Sequence, residues 1–229
     1  RGQPSPSWGD FHVRQVHPEL QRVDLFEAMK YSDNIYFARA GLALGEKKFL
    51  EYGERFGFGE EISFPLPVAR SRLAREGIKS EIQLADSSYG QGEVMITPLQ
   101  LALFYSAFAA GGTIPQPQLF RAAEPAPWKE NILDPAVVET VHRSLVETLH
   151  GADAPGAAGI VPGFTVAGKT GTAEVEGAEG NICCYVTYGP AESPEFVVAV
   201  VVEGGRWAAT DALPVGRDLL ERCLRPERD

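Results

Sequence analysis

Phe164-Thr-Val-Ala-Gly-Lys-Thr-Gly-Thr-Ala-Glu174 is a short apolar, β-prone run that leads into Lys169-Thr170-Gly171-Thr172. An ammonium, two hydroxyls and a glycine in succession put cationic and hydrogen-bonding groups where an anionic ligand can lie along bare backbone. The stretch therefore reads as a strand with a carboxylate-binding edge. Two more strand-like runs follow, at 181–188 and 195–203, and their connections at 175–180 and 189–194 are short and rich in turn residues. Consecutive antiparallel pairing is the simplest topology for the three.

Helices flank this meander. Asp134-Pro135 caps one whose stripe is Val138, Val141, Leu145 and Leu149, ended by His150-Gly151. A closing helix at 211–224 is expected to present Val215, Leu219, Leu220 and Cys223 on one side. Upstream, Leu25, Phe26 and Met29 recur at helical spacing, and residues 35–44 are apolar on most sides, which predicts a buried helix closed by Gly45. Ser32 and Asn34 then fall at the junction of two helices. Residues 46–56 predict another helix with Phe49, Leu50 and Tyr52 inward, and 60–80 read as a surface loop. Thr97-Pro98 with Gln100 starts a core helix at 99–110, stopped by Gly111-Gly112, and a strand is expected near Leu119-Phe120. The first 23 residues, with two prolines in the first six, read as irregular structure leading in. Helices first, then a meander, then a terminal helix predict an α+β fold, with a helical lobe at 24–112 and a sheet lobe at 113–229.

Composition removes several classes of function. A formal net charge of -10, with one small basic group at Arg70, Arg72, Arg75 and Lys79, is unsuited to a nucleic-acid backbone. The longest aliphatic run, 196–202, is far shorter than the ~20 residues of a membrane helix. Cys183, Cys184 and Cys223 form no disulfide framework and, like His12, His17, His142 and His150, have no metal-ligand spacing. All three thiols read as core residues, with a Cys223 disulfide left open. No cofactor or metal is expected. The first residue is Arg and no leader follows, as for an internal piece of a longer chain.

Three separated signals share one order along the chain: Ser32-x-Asn34; Gly90-Gln91-Gly92 followed after four residues by Thr97-Pro-Leu-Gln-Leu-Ala102; and Lys169-Thr-Gly-Thr. Together they resemble the transpeptidase domain of the penicillin-binding proteins, class B-like, over about residues 25–215. Tyr36-Phe37, Gly41, Leu44-Gly45 and Phe56-Gly-Phe-Gly59 add to the likeness. That family carries Ser-x-x-Lys, Ser-x-Asn and Lys-Thr-Gly. The first is missing: no serine in this chain has lysine three positions later. The expected position of the nucleophile is therefore N-terminal to Arg1, and these 229 residues alone are expected to be inactive.

The resemblance implies a penicillin-recognising fold and a serine enzyme that cross-links peptidoglycan stem peptides ending in D-Ala-D-Ala and is acylated by β-lactams. It implies that Ser32 relays a proton to the leaving amine, that Asn34 holds the substrate amide and the catalytic lysine, and that Lys169 attracts the terminal carboxylate. Thr170 and Thr172 would hydrogen-bond that carboxylate, the Thr172 N–H would be an oxyanion donor, and Gly171 would let substrate approach the strand. Gly90, Gln91 and Gly92 are assigned to backbone geometry, and Asp33 to no chemical duty. The implied partners are a separate N-terminal fragment and a cell-wall synthesis complex, and the implied location is the cell envelope, with anchoring through a segment outside this chain. Two alternatives compete. A class A β-lactamase is disfavoured because no Glu-x-x-x-Asn lies between Ser32 and Lys169. A non-catalytic β-lactam sensor or binding module gives Ser32, Asn34 and Lys169 little reason to occur together.

Overall fold

In the computed structural model, which describes residues 8–20, 22–120, 126–175 and 177–225, the chain divides into two compact units. The first holds 1–62 and 67–97, and the second holds 63–66 and 98–229. The first seven residues, with their two prolines, lie outside the described residues.

In the first unit, Asp24 opens α1 (Leu25–Tyr31) with a capping box: its carboxylate accepts from the Glu27 N–H, and the Glu27 side chain accepts from the Asp24 N–H. The turn 32–33 links it to α2 (Asn34–Leu44), which ends at Gly45. The expectation of a buried α2 holds only on one side. Ala38 and Gly41 are buried while Leu44 is exposed. In α3 (Glu46–Arg55), Phe49 and Leu50 are half-buried, but Tyr52 turns outward beneath the Arg55 guanidinium, 4.8 Å from the ring centroid. An aromatic that covers a cation at the surface needs no place in the core.

Residues 81–88, for which the sequence analysis gives no element, form α4 (Glu81–Ser88). Its signal was present. The Ser80 hydroxyl accepts from the Gln83 N–H, and the Gln83 side chain accepts from the Lys79 N–H, close to a capping box. Helix α4 packs on α2 at Gly41, where a Cβ would meet Ser88 Oγ at 1.8 Å. The core of this unit joins Ala38 and Ala85 to Trp8 and Val13, so the irregular lead-in supplies two of its buried side chains.

The second unit begins its helices with α5 (Pro98–Ala109), in which Gln100, Leu103, Ser106, Ala107 and Phe108 are buried. The division expected at residue 112 groups α5 with the other early helices; its contacts are with the sheet and with the helix that follows. No strand forms at 119–120, where Leu119 and Phe120 are exposed; instead β1 (Ile114–Pro115) pairs with β2 (Pro127–Lys129). Next, α6 (Pro135–His150) is capped by Asp134, whose carboxylate accepts from the Ala136 N–H at 2.8 Å; of its expected stripe, Val138, Leu145 and Leu149 are buried and Val141 is half-buried.

The meander follows as β3 (Ala167–Glu174), β4 (Asn181–Gly189) and β5 (Phe196–Gly205), antiparallel in the order β3-β4-β5. A short α7 (Ala208–Asp211) leads into α8 (Leu213–Leu224), which covers β4 and β5. Its buried face is Leu213, Gly216 and Leu220, whereas Val215 and Leu219 are 53% and 47% exposed. Of the four residues expected inward, Leu220 is buried and Cys223 half-buried, while Val215 and Leu219 turn outward. The inward side is marked by a glycine, since a Cβ at 216 would lie 2.5 Å from Tyr185 Cδ1. Helix and strand close on Tyr185, which is fully buried in a cluster with Val161, Val166, Leu213 and Leu220. All three cysteines are free; Cys183 is buried, Cys184 and Cys223 half-buried.

Candidate active site

The residues singled out from the sequence fall into two groups, one in each compact unit. In the first, Ser32 is the C-cap of α1 with φ 54° and ψ 50°, a left-handed conformation that costs a residue other than glycine about 1–3 kcal/mol and persists only when its surroundings enforce it. The surroundings are the caps on either side. The Asp33 N–H donates to the Ala28 carbonyl at 2.9 Å, and the Asp33 carboxylate accepts from the Tyr36 N–H at 2.7 Å to start α2. Asn34 is then the first residue of that helix, half-buried, with Nδ2 donating to the Arg14 carbonyl at 3.5 Å.

Asp33, expected to have no chemical duty, is only 6% exposed and is the bracket that sets both neighbours. Asp33→Ala is expected to cost about 1–2 kcal/mol, the worth of a well-formed N-cap. A urea midpoint that does not move would show that the Ser32 corner is held by something else. Farther along this unit, Gly90 and Gly92 have φ of 86° and 69°, and the Gly90 and Gln91 N–H groups close the end of α4 on the Ser87 and Asp86 carbonyls. This fits the backbone role expected of them.

The second group lies on one edge of the sheet. Strand β3 pairs with β4 on one side and, among the described residues, with no strand on the other. The orientation of its backbone follows from two hydroxyls. Thr187 of β4 donates to the Ala167 carbonyl at 2.9 Å, which places that carbonyl on the β4 side. Thr148 of α6 donates to the Gly168 carbonyl, which therefore faces away from β4. Since peptide groups alternate along an antiparallel strand, the main-chain N–H and C=O of Thr170 and Thr172 face the open edge. Thr172 can thus offer its N–H outward, as an oxyanion donor requires.

Side chains alternate too. Thr170 and Thr172 are cross-strand partners of Tyr185 and Cys183, on the face that α8 covers, while Lys169 and Gly171 partner Val186 and Cys184 on the other. Lys169 is half-buried and its Nζ donates to the Thr170 carbonyl at 2.8 Å. Burial lowers its ammonium pKa from 10.5 to about 8, so it is still charged near neutrality. Thr172 Oγ1 accepts from the Ala208 N–H at 3.0 Å. The structure therefore brings Lys169, Thr170, Gly171 and Thr172 together on one edge, and Ser32 and Asn34 together at one helix junction. Thr148 and Ala208, which hold the strand, carried no signal in the sequence.

A family model described as the penicillin binding protein transpeptidase domain matches residues 1–221. The chain is 35% identical over 176 residues to penicillin-binding protein 3 of Bacillus subtilis, covering 76% of this chain and 26% of that protein. It is 32% identical over 223 residues to the peptidoglycan D,D-transpeptidase PbpA of Mycobacterium tuberculosis, covering 90% of this chain and 45% of that protein. Among solved structures, a ceftriaxone acyl-enzyme complex of penicillin-binding protein A from M. tuberculosis has a TM-score of 0.81 at 27% identity, over 89% of this chain and 49% of that one. The chain thus spans between a quarter and a half of the length of these relatives.

Proposed function

The chain belongs to the penicillin-binding protein transpeptidase domain family, and we propose that it carries the Ser-x-Asn and Lys-Thr-Gly parts of a class B-like serine D-Ala-D-Ala transpeptidase that cross-links peptidoglycan stem peptides. The observation that carries this reading is the edge of β3, where outward-facing main-chain groups of Thr170 and Thr172 stand beside a lysine still cationic at neutral pH. Such an edge suits a peptide that ends in a carboxylate. Similar solved structures of penicillin-binding protein A from M. tuberculosis, acyl-enzyme complexes with ceftriaxone and penicillin G, support β-lactams as inhibitors that enter by the same route.

In this reading the nucleophilic serine and its lysine lie outside these 229 residues, because no serine here has lysine three positions on. The serine attacks the carbonyl between the two D-alanines, its lysine takes the proton, and D-alanine leaves as the acyl-enzyme forms. An amine of a second stem peptide then takes the acyl group and regenerates the serine. Ser32 passes a proton to the departing amine, because a hydroxyl is both donor and acceptor. Asn34 orients the substrate amide and the catalytic lysine through its own amide. Lys169, Thr170 and Thr172 bind the terminal carboxylate, and the Thr172 N–H steadies the oxyanion. Gly171 keeps the strand surface clear of side chains. The helical portion at 24–112 supplies the Ser-x-Asn motif and the portion at 113–229 the Lys-Thr-Gly motif. No described helix is long and apolar enough to cross a membrane. The site is assigned to the extracytoplasmic face of the envelope, anchored by a segment outside this chain and working within the cell-wall synthesis complex.

The test is covalent labelling with a fluorescent penicillin. The longer product of the same gene, carrying a Ser-x-x-Lys segment, should give a labelled band. The 229-residue chain by itself should give none, and labelling should return if a separate N-terminal fragment with that motif is added. A full-length product that takes no label would count against the transpeptidase reading; rapid turnover of a chromogenic cephalosporin would replace it with a β-lactamase.

A further inference from the structure

Thr172 is held from behind by a turn that the reaction as described does not use. The Ala208 N–H donates to Thr172 Oγ1 at 3.0 Å, across 36 positions of sequence. Ala208 is the first residue of α7, a single helical turn that would be poorly fixed by itself. It is fixed by Asp211. Oδ2 of Asp211 accepts from the N–H groups of Arg206 at 2.5 Å and Trp207 at 3.2 Å, and Oδ1 accepts from Thr210 Oγ1 at 3.0 Å. These bonds keep the carboxyl pKa below its ordinary value, the Arg206 N–H contributing most. On the far side, Asn181 Nδ2 donates to the Arg206 carbonyl at 2.9 Å. Space is also tight, since a Cβ on Gly205 would lie 2.7 Å from Cys183 Sγ and 3.0 Å from Asp211 Oδ2.

A threonine hydroxyl has one hydrogen to give and two lone pairs to receive. With one lone pair taken by the Ala208 N–H, the hydroxyl rotor loses the orientations that would point its hydrogen at the turn, and the hydrogen is biased to donate elsewhere. We propose that Asp211 is a positioning residue: it clamps the turn 206–211 so that the Ala208 N–H orients the Thr172 hydroxyl as a donor to the ligand carboxylate. This rests on the reading that Thr172 binds that carboxylate. Asp211 itself does not touch ligand in this scheme.

The experiment is a pair of double-mutant cycles on the full-length gene product, read as the second-order rate of acylation by a fluorescent penicillin, with melting temperature recorded alongside. Asp211→Ala loosens the clamp. Ala208→Pro deletes the donated N–H at a first helical position, and the preceding Trp207, at φ -142° and ψ 136°, already has the extended backbone that proline requires. Each is expected to slow acylation about fivefold to tenfold, the net worth of one well-placed hydrogen bond, while Asp211→Asn retains most of the rate because its amide oxygen can still accept. In a Thr172→Val background both substitutions should have no further effect. If Thr172→Val slows acylation and Asp211→Ala and Ala208→Pro slow it equally again, the link through Thr172 is wrong and the carboxylate role survives. If Thr172→Val leaves the rate unchanged, the carboxylate role falls and the proposal with it. Should Asp211→Ala fail to fold, Ala208→Pro decides by the same criteria.

Discussion

Lys169→Ala in the full-length gene product is expected to slow acylation by a fluorescent penicillin about 10²–10³-fold, the usual effect of removing a group aimed at developing or fixed charge in a water-poor site. The wild-type rate should also depend on pH in a particular way. The Lys169 pKa is lowered to about 8 by burial, so about nine-tenths of the protein carries the charge at pH 7 and about a tenth at pH 9. Acylation should therefore fall through a midpoint near pH 8 as pH rises, with no loss from this group below pH 7. Lys169→Arg keeps its charge throughout, so its rate, even if lower overall, should stay level between pH 7 and 9. Stability moves the other way. A lysine whose folded pKa lies below its unfolded value of 10.5 penalises the fold below pH 8, and that penalty is relieved as pH rises from 8 toward 10.5. Loss of acylation between pH 7 and 9 thus cannot be laid to unfolding through this group. A flat wild-type profile would overturn the carboxylate-binding role of its charge.

The second large effect separates two glycines three residues apart. Gly168 is buried, and a Cβ there would lie 2.8 Å from the Val186 carbonyl oxygen, 3.1 Å from Tyr185 Oη and 3.2 Å from Thr187 Cβ. The nearest of these is backbone of the paired strand and cannot swing aside, so Gly168→Ala must push β3 from β4. A loss of about 2–3 kcal/mol is expected, typical of overpacking. Gly171 is exposed, and its Cβ would meet only Cys184 Cβ at 4.0 Å, an ordinary contact. Gly171→Ala should leave stability within about 0.5 kcal/mol of wild type, as for a surface change, yet lower acylation by placing a methyl where substrate must lie against the strand. Urea denaturation and labelling on the same two variants check both halves. Equal stability losses would mean that β3 is packed differently from this description, and undiminished labelling of Gly171→Ala would remove the need for a bare strand surface.

These glycines also show what the sequence made legible. Lys-Thr-Gly-Thr announced the strand because its residue types and order are unusual, and alternating apolar runs with short polar turns dictated a three-stranded antiparallel meander, which is what forms. Caps written in single residues were equally readable: Asp134-Pro135 for α6 and Gly45 after α2. What stayed hidden depends on contacts between distant residues. Nothing local says that Gly216 is the inward face of α8, because the reason is Tyr185, 31 positions earlier. Tyr52 misled because it counts as apolar by composition while its ring serves Arg55 at the surface. Ala208 and Thr148 are unremarkable in sequence, and their roles come only from the N–H and hydroxyl that the fold aims at β3. Helix α4 differs in kind, since Ser80 and Gln83 spell its start within four residues.

For the proposed transpeptidase, the open side of β3 bears on selection by an inhibitor. Two of the groups it holds out belong to the polypeptide itself, the amides of Thr170 and Thr172, and every replacement except proline preserves them. Escape from an inhibitor by trimming side chains at 170 or 172 would remove hydroxyls and leave those amides in place for drug and substrate alike. Displacing the strand as a body, through positions such as 148, 168 and 186 behind it, would move those amides as well, and there ligand binding and folding stability are bound to the same contacts.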